Sequence, residues 1–472
     1  MSLIDNSSFF CSSLTRDNKF QSFQSFHDWL RKHCRPEEFK VDMVPLDEME
    51  KWSLDKDGIR ISHESGRFFH IEGIHVKTNF GGDKEWDQPI INQPEIGFLG
   101  FMTRVFEGTR YFLMQAKMEP GNINTLQISP SLQATKSNFT QVHKGKRPAF
   151  LEFFNGEKKV KILTDHLQTE QGGRFFQKRN RNIVIEIDEN VEIPDEFCWL
   201  TLGEMKALLR EDNVLNMDTR SVLSTIPLVE DEILHGLQSY DLSDLPYQLS
   251  ANGKKFLKSY VSKDSLYTID NLLSWYTKQK THWEIEVQKK PLSMLDGWSI
   301  HKMAVESDPR YFSVIGVKVT AGTREVTHWM QPLLKDSNIG LLAFVCQEIN
   351  GVIHFLVQAK VEPGNLDIIE MSPTVSCSNY EFVKTRKERP FLFDEVLAKD
   401  AQVMYDSLQS EEGGRFYQIQ NRNMIVEIPE SSKLELPYNF TWMTLAQMKE
   451  FMRYGMFNIE ARSIISAISF ID

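Results

Sequence analysis

Gln115-Ala-Lys-Met-Glu-Pro-Gly-Asn122 returns 243 residues later as Gln358-Ala-Lys-Val-Glu-Pro-Gly-Asn365. In a chain of 472 residues that displacement is about half the length, so one half is a copy of the other. Read as a strand, the first copy points Phe112, Met114, Ala116 and Met118 to one face and Gln115, Lys117 and Glu119 to the other. The second copy sets Phe355, Val357, Ala359 and Val361 against Gln358, Lys360 and Glu362. As structure alone this is a half-buried strand with a wet face, ending at a Pro-Gly turn. Yet two copies that have drifted elsewhere keep the same three polar side chains, which an ordinary solvent face does not require. A lysine and a glutamate two residues apart on one face perturb each other's ionisation in a pocket. Together they offer it a base and a cation.

The match extends outward from the octapeptide. Phe69 falls on Phe312, and Trp86 with Gln88-Pro89 falls on Trp329 with Gln331-Pro332. Gly172-Gly-Arg-Phe175 falls on Gly413-Gly-Arg-Phe416, Asn180-Arg-Asn182 on Asn421-Arg-Asn423, and Arg220-Ser221 on Arg462-Ser463. Offsets stay between 241 and 246, so insertions are small. Repeat one covers about 20–228 and repeat two about 265–470. Two domains follow, 1–228 and 265–472, joined by a polar connector at 229–264. Each repeat opens with a helix, marked in the first by Phe20, Phe23, Phe26, Trp29 and Leu30 at helical spacing. Alternating strands come next, as at Ile183, Ile185 and Ile187. Capping boxes at Thr201-Leu-Gly-Glu204 and Thr444-Leu-Ala-Gln447 start the closing helices. Strands followed by helices, without βαβ alternation, predict an α+β layer in each half: a mixed sheet flanked by helices.

A formal net charge of −11 argues against bulk nucleic-acid binding but leaves room for a local basic pocket. Five scattered cysteines with no CxxC pair predict neither a zinc ribbon nor a disulfide framework. No signal-peptide pattern and no membrane-length apolar run is present, so a reduced, cytoplasmic protein without a membrane or nucleic-acid partner is expected. HExxH, Walker A, GxGxxG and G-x-S-x-G are all missing, and no motif calls for a metal or other cofactor.

The Gly-Gly-Arg turn and its Asn-Arg-Asn sequel are the second set of candidates. Paired glycines permit close backbone approach. Arg174, Lys178, Asn180 and Arg181, with Arg415, Asn421 and Arg422 in the copy, form basic stretches suited to a phosphate, which a guanidinium holds bidentately. Arg220 and Arg462 are further candidates for phosphate, or they satisfy carbonyls. The third signal is asymmetry: His143 and His70 have no histidine counterpart in the other half. A lone histidine is more often structural, but a difference of this kind is where a reacting copy departs from a binding one.

These segments resemble the NDP-hexose 2,3-dehydratase family. The resemblance rests on the octapeptide, on Leu126-Gln-Ile-Ser-Pro-Ser through His143, on Glu170-Gln-Gly-Gly-Arg-Phe-Phe-Gln-Lys-Arg-Asn-Arg-Asn182, and on Asn216-Met-Asp-Thr-Arg-Ser-Val-Leu223. It spans both halves. It implies two tandem Nudix-like domains, a homodimer, and a nucleotide-sugar pocket in each repeat, one of them catalytic. The glutamate-rich, magnesium-holding Nudix helix is missing, which fits a fold that no longer hydrolyses diphosphates. The implied substrate is a dTDP-4-keto-6-deoxyhexose. In the first pocket, Glu119 as base, Lys117 as enolate stabiliser and His143 as alternative acid or base are the catalytic candidates. Gln115, Asn122, Ser129, Arg174, Lys178, Asn180, Arg181 and Arg220 would bind substrate. The second pocket would use Gln358, Lys360, Glu362, Asn365, Ser372, Arg415, Asn421, Arg422 and Arg462. The alternative is a nucleotide-sugar-binding protein without turnover.

Overall fold

The computed structural model describes residues 7–82, 84–136, 147–238, 245, 247–307, 312–322 and 327–471. His143 therefore lies outside the described residues. Each half builds one large and one small sheet. The large sheet of the first half runs in the order Lys161–Thr169, Arg179–Glu186, Gly97–Phe106, Thr109–Met118, Phe197–Leu200, with short strands Leu126–Ser129 and Leu132–Ala134 attached. Its one parallel pairing joins Arg179–Glu186 to Gly97–Phe106. The second half reproduces the arrangement, with Gly340–Ile349 parallel to Gln420–Ile428 and Val352–Lys360 in the place of Thr109–Met118. Both capping boxes form, each Thr side chain accepting from the third helical N–H while Glu204 or Gln447 reaches back. The opening helix, Phe23–His33, buries Phe26; Phe20 lies before it.

The halves are not separate modules. Strand Phe39–Val44 leaves its own half and pairs antiparallel with Ser313–Ala321 of the other. In exchange, Ile285–Lys290 pairs with His70–Thr78. One hydrophobic core mixes Phe69, Ile91 and Phe175 with Phe312, Leu334 and Phe416, and the rings of Phe175 and Phe416 meet edge to face with centroids 5.8 Å apart. A larger core joins both large sheets through Met217–Thr225 and Ile459–Ser466, helices packed against each other. The connector expected to be polar is part of this core: helices Asp231–Leu237 and Ala251–Val261 bury Ile233, Leu237, Phe256, Leu257 and Val261. A connector reads as polar when one face of each short helix carries all its apolar residues.

Arg220 and Arg462 sit at this junction, 1% and 0% exposed. Arg220 donates to Leu215 O (2.6 Å), to Ser463 Oγ (2.8 Å) and to Ser410 O; Arg462 donates to Phe457 O and Thr169 O, both at 2.7 Å. Each guanidinium thus ties its own helix to a strand of the other half. Buried and bound to carbonyls, these two arginines act as braces, the second of the two readings the sequence left open. Among the described residues no helix is long and apolar enough to cross a membrane.

Candidate active site

The octapeptide ends a strand and turns into the other half. Gly121 N donates to Gly413 O (2.7 Å), and Gln418 N donates to Gly121 O (2.8 Å). Gly364 makes the reciprocal pair, donating to Gly172 O (2.7 Å) and accepting from Gln177 N (2.8 Å). A methyl group on Gly121 would stand 1.6 Å from Phe416 O, and one on Gly364 1.8 Å from Phe175 O. The glycine of Pro-Gly-Asn is thus required by backbone contact between halves, beyond any turn. Gly172 and Gly413 carry out the other side of the same approach, with Asn365 Oδ1 and Asn122 Oδ1 where their methyl groups would be. Asn122 closes its turn by donating to Lys117 O and Thr125 O.

The pairing of site segments is therefore crosswise. Arg174 and Gln171 of the first half join Lys360 and Glu362 of the second in a cavity of about 560 Å³, which Ser376, Asn421 and Glu460 also line. Symmetrically, the second half's Gly-Gly-Arg hairpin approaches Glu119. Sequence adjacency had grouped Arg174 with Lys117 and Arg415 with Lys360; the structure exchanges them. The repeated Trp-x-Gln-Pro string explains how the hairpins are held. Trp86 Nε1 donates to Gln88 Oε1 (2.8 Å), whose amide donates to Gly173 O (3.0 Å). Trp329, Gln331 and Gly414 O repeat the relay at 2.9 and 2.8 Å. The matched phenylalanines have a role as well: the Arg415 guanidinium stacks 4.1 Å from the Phe69 ring, and Arg174 4.0 Å from Phe312. A stacked guanidinium keeps its edge free for an oxyanion.

In the first pocket Glu119 Oε1 accepts from Gln133 Nε2 (3.0 Å) and stands 3.3 Å from Lys117 Nζ. Glu119 Oε2 is buried and has no hydrogen-bond partner among the described residues. In the second pocket Lys360 Nζ lies 2.8 Å from Glu362 Oε1 and donates to Ser376 Oγ at 3.1 Å. Burial works against the Lys360 charge, but Glu362 and Glu460 outweigh it and raise its pKa. Burial lowers the Arg174 pKa, against the pull of Asp336 and Glu362. Asp336 stands where the first pocket has Gln93, which accepts from Arg415 at 3.1 Å.

Of the remaining candidates, Lys178 is buried, donates to Glu95 O, and has its pKa lowered by burial. Asn180 donates to Glu170 Oε1 (2.7 Å), as Asn421 does to Glu411. Ser129 and Ser372 are fully buried in the sheet, and Gln115 and Gln358 sit at the register positions opposite them. Arg181 and Arg422 lie elsewhere, in two-point ion pairs with Asp165 and Asp406 across the outer strands, at 2.6 and 2.8 Å each. Their alternation on the strand turns them outward. His70 pairs with Glu72 (3.2 Å), which Asn92 and Lys289 also hold. Burial opposes that charge, yet these partners keep the Glu72 pKa at about 2.

Sequence reasoning missed the deep carboxyls. Asp218 is 3% exposed at the start of Met217–Thr225, and burial, then the charges of Glu412, Glu170 and Glu119, raises its pKa well above the usual range. Burial raises Glu170 to about 7, Glu411 to about 8 and Glu460 to about 7. The available signal was the mismatch Glu411-Glu412-Gly-Gly against Glu170-Gln171-Gly-Gly.

Glu370, which accepts from Thr169 Oγ1 across the halves (3.0 Å), is pushed by burial to about 8. A carboxyl whose folded pKa is raised leaves the folded state holding the extra proton. Stability is then complete below the unfolded pKa near 4.5 and is lost as pH rises toward 8. Glu370→Gln should therefore melt like the parent at pH 5 and several degrees above it at pH 8; equal melting temperatures at both pH values would contradict the assignment.

The chain belongs to the NDP-hexose 2,3-dehydratase family: the family model matches residues 23–226 and again 269–468. Paired mixed sheets with flanking helices make it a tandem of two α+β units. It is similar to a dTDP-4-dehydro-6-deoxy-alpha-D-glucopyranose 2,3-dehydratase of Saccharopolyspora spinosa, at 41% identity over 97% of this chain and 93% of that protein. Proteins of the same description from Amycolatopsis orientalis and Streptomyces violaceoruber are 36% and 37% identical, over 97% and 94% of this chain and 92% and 96% of theirs. A crystal structure of an ADP compounds hydrolase aligns with 37% of this chain and 91% of its own at 16% identity, with a TM-score of 0.23.

Proposed function

We propose that the protein is a carbon–oxygen lyase that removes water across C2 and C3 of a dTDP-4-keto-6-deoxyhexose in the pocket of Lys117 and Glu119. The observation that carries this reading is Glu119, whose Oε1 is fixed by Gln133 and Lys117 while Oε2 stays buried and unpartnered among the described residues. A carboxylate held that way is oriented for proton transfer at one atom. The substrate's C4 ketone acidifies the C3 proton, and Glu119 Oε2 takes it. Lys117 stabilises the enolate charge that develops on the C4 oxygen. Collapse of the enolate expels the C2 hydroxyl, and the resulting enol becomes a 3,4-diketo-2,6-dideoxyhexose. C3 is oxidised at the expense of C2, so the balance requires no external oxidant. Arg415, stacked on Phe69, holds the diphosphate. The Lys360 cavity binds nucleotide sugar without turnover.

Incubation with dTDP-4-keto-6-deoxyglucose, without added metal or nicotinamide, should give an unstable diketo sugar that decays to maltol with release of dTDP. Substrate recovered intact would mark a binding protein, and magnesium-dependent release of nucleoside monophosphate a hydrolase; either result contradicts the proposal.

A further inference from the structure

We propose that Glu412, delivered by the second half's hairpin, is the general acid that protonates the departing C2 hydroxyl in the Lys117–Glu119 pocket, and that this carboxyl is what separates the reacting pocket from its copy. The inference rests on the dehydratase reading. Loss of hydroxide from carbon is slow without an acid, and such an acid contributes roughly 10²–10⁴-fold.

The geometry places two carboxyls around one small space. A methyl group built on Gly414 would stand 3.0 Å from Glu412 Oε1 and 3.8 Å from Glu119 Oε1. At the matching Gly173 it would meet only Glu362 Oε1, at 3.5 Å. The residue aligned with Glu412 in that second pocket is Gln171, whose amide cannot exchange a proton. Both pockets keep a lysine and a glutamate, and at this hairpin position one carries a carboxyl where the other carries an amide.

Two other buried acids compete for the role. Asp218 and Glu170 are 3% and 6% exposed, whereas Glu412 is part-exposed. Reach selects Glu412. Its protonation fits as well. Burial raises its pKa, the charge of Glu119 adds to the rise, and Arg415, Lys178 and Lys117 oppose it, with the net shift upward. A carboxyl biased toward its protonated form suits a general acid.

The step balances. The C3–H bond breaks, its proton goes to Glu119, and the electron pair moves onto the C4 oxygen. As the C4 carbonyl re-forms, C2–O breaks, and the oxygen leaves with the bonding pair and the Glu412 proton as water. Tautomerisation of the enol then adds a proton at C2 and removes one from O3, which restores both carboxyls.

Proton exchange at C3 separates the two roles. Glu412→Gln places in this hairpin the side chain that Gln171 already gives the other, so folding should be undisturbed, and dTDP titration by calorimetry checks this. In deuterium oxide the variant should still wash deuterium into C3 of dTDP-4-keto-6-deoxyglucose within a few-fold of the parent rate. Dehydration should fall roughly 10²–10⁴-fold. Exchange and dehydration falling together, or turnover retained, would overturn the assignment. If the parent protein neither exchanges nor dehydrates, it is the dehydratase reading that fails.

Discussion

Glu119→Gln should abolish turnover, by a factor of more than about 10³, while Glu362→Gln keeps most of it. The substitution preserves shape and the hydrogen bond that Glu119 Oε1 accepts from Gln133, but removes the carboxylate proposed to take the C3 proton. Loss of a positioned base costs on the order of 10²–10⁴, and enolate formation precedes every later step. Deuterium exchange at C3 should vanish with turnover, which distinguishes this variant from Glu412→Gln. In the other pocket Glu362 is paired with Lys360 at 2.8 Å and faces Gln171, so its loss removes a binding contact and no proton transfer. The measurement is initial-rate dTDP release on both variants side by side. The reverse pattern would move the chemistry to the Lys360 cavity.

Gly121→Ala and Gly364→Ala should each fail to give a normally stable protein. A Cβ would stand within 1.6 or 1.8 Å of a carbonyl oxygen of the opposite half, and that oxygen belongs to backbone at the Phe175–Phe416 core. Overpacking with a flexible neighbour costs about 1–3 kcal/mol. Here backbone must move, and the two cross-half hydrogen bonds at each glycine go with it, so the loss should reach or exceed that range. Thermal melting reads it directly. Gly173→Ala is the control, since its methyl meets only Glu362 Oε1, at an ordinary 3.5 Å. Parent-like melting of Gly121→Ala would mean that the halves do not clasp through the octapeptide.

Much of the fold is readable in the residues. The duplication shows in the repeated strings, and the alternation of Gln115, Lys117 and Glu119 and both capping boxes follow from local pattern, fixed by two- and three-residue spacings. The strand exchange was not readable. Phe39–Val44 and Ile285–Lys290 have the pattern of strands, but a strand's pattern specifies its faces and not which sheet edge it joins. The crosswise sites were hidden for the same reason: Arg174 follows Lys117 in the chain and serves Lys360 in space. Arg220 and Arg462 were left open between two roles because a guanidinium bound to carbonyls and one bound to phosphate look alike in sequence. The Glu412–Gln171 difference was visible in the alignment of the halves, yet it acquires meaning only when the hairpin is seen to cross.

In the proposed reaction, Lys117 and Glu119 of the first half are served by the second half's hairpin, so the reacting pocket is built from both halves. Steady-state turnover of dTDP-4-keto-6-deoxyglucose by Arg415→Ala and Arg174→Ala checks this. A lost charge-assisted hydrogen bond is worth about 1.5–3 kcal/mol. Arg415→Ala should therefore lower kcat/KM by roughly 10- to 100-fold, whereas Arg174→Ala should leave turnover near the parent value and weaken only the second nucleotide site. Loss of turnover in Arg174→Ala with Arg415→Ala unaffected would move the chemistry to the cavity that Arg174 shares with Lys360 and contradict the assignment.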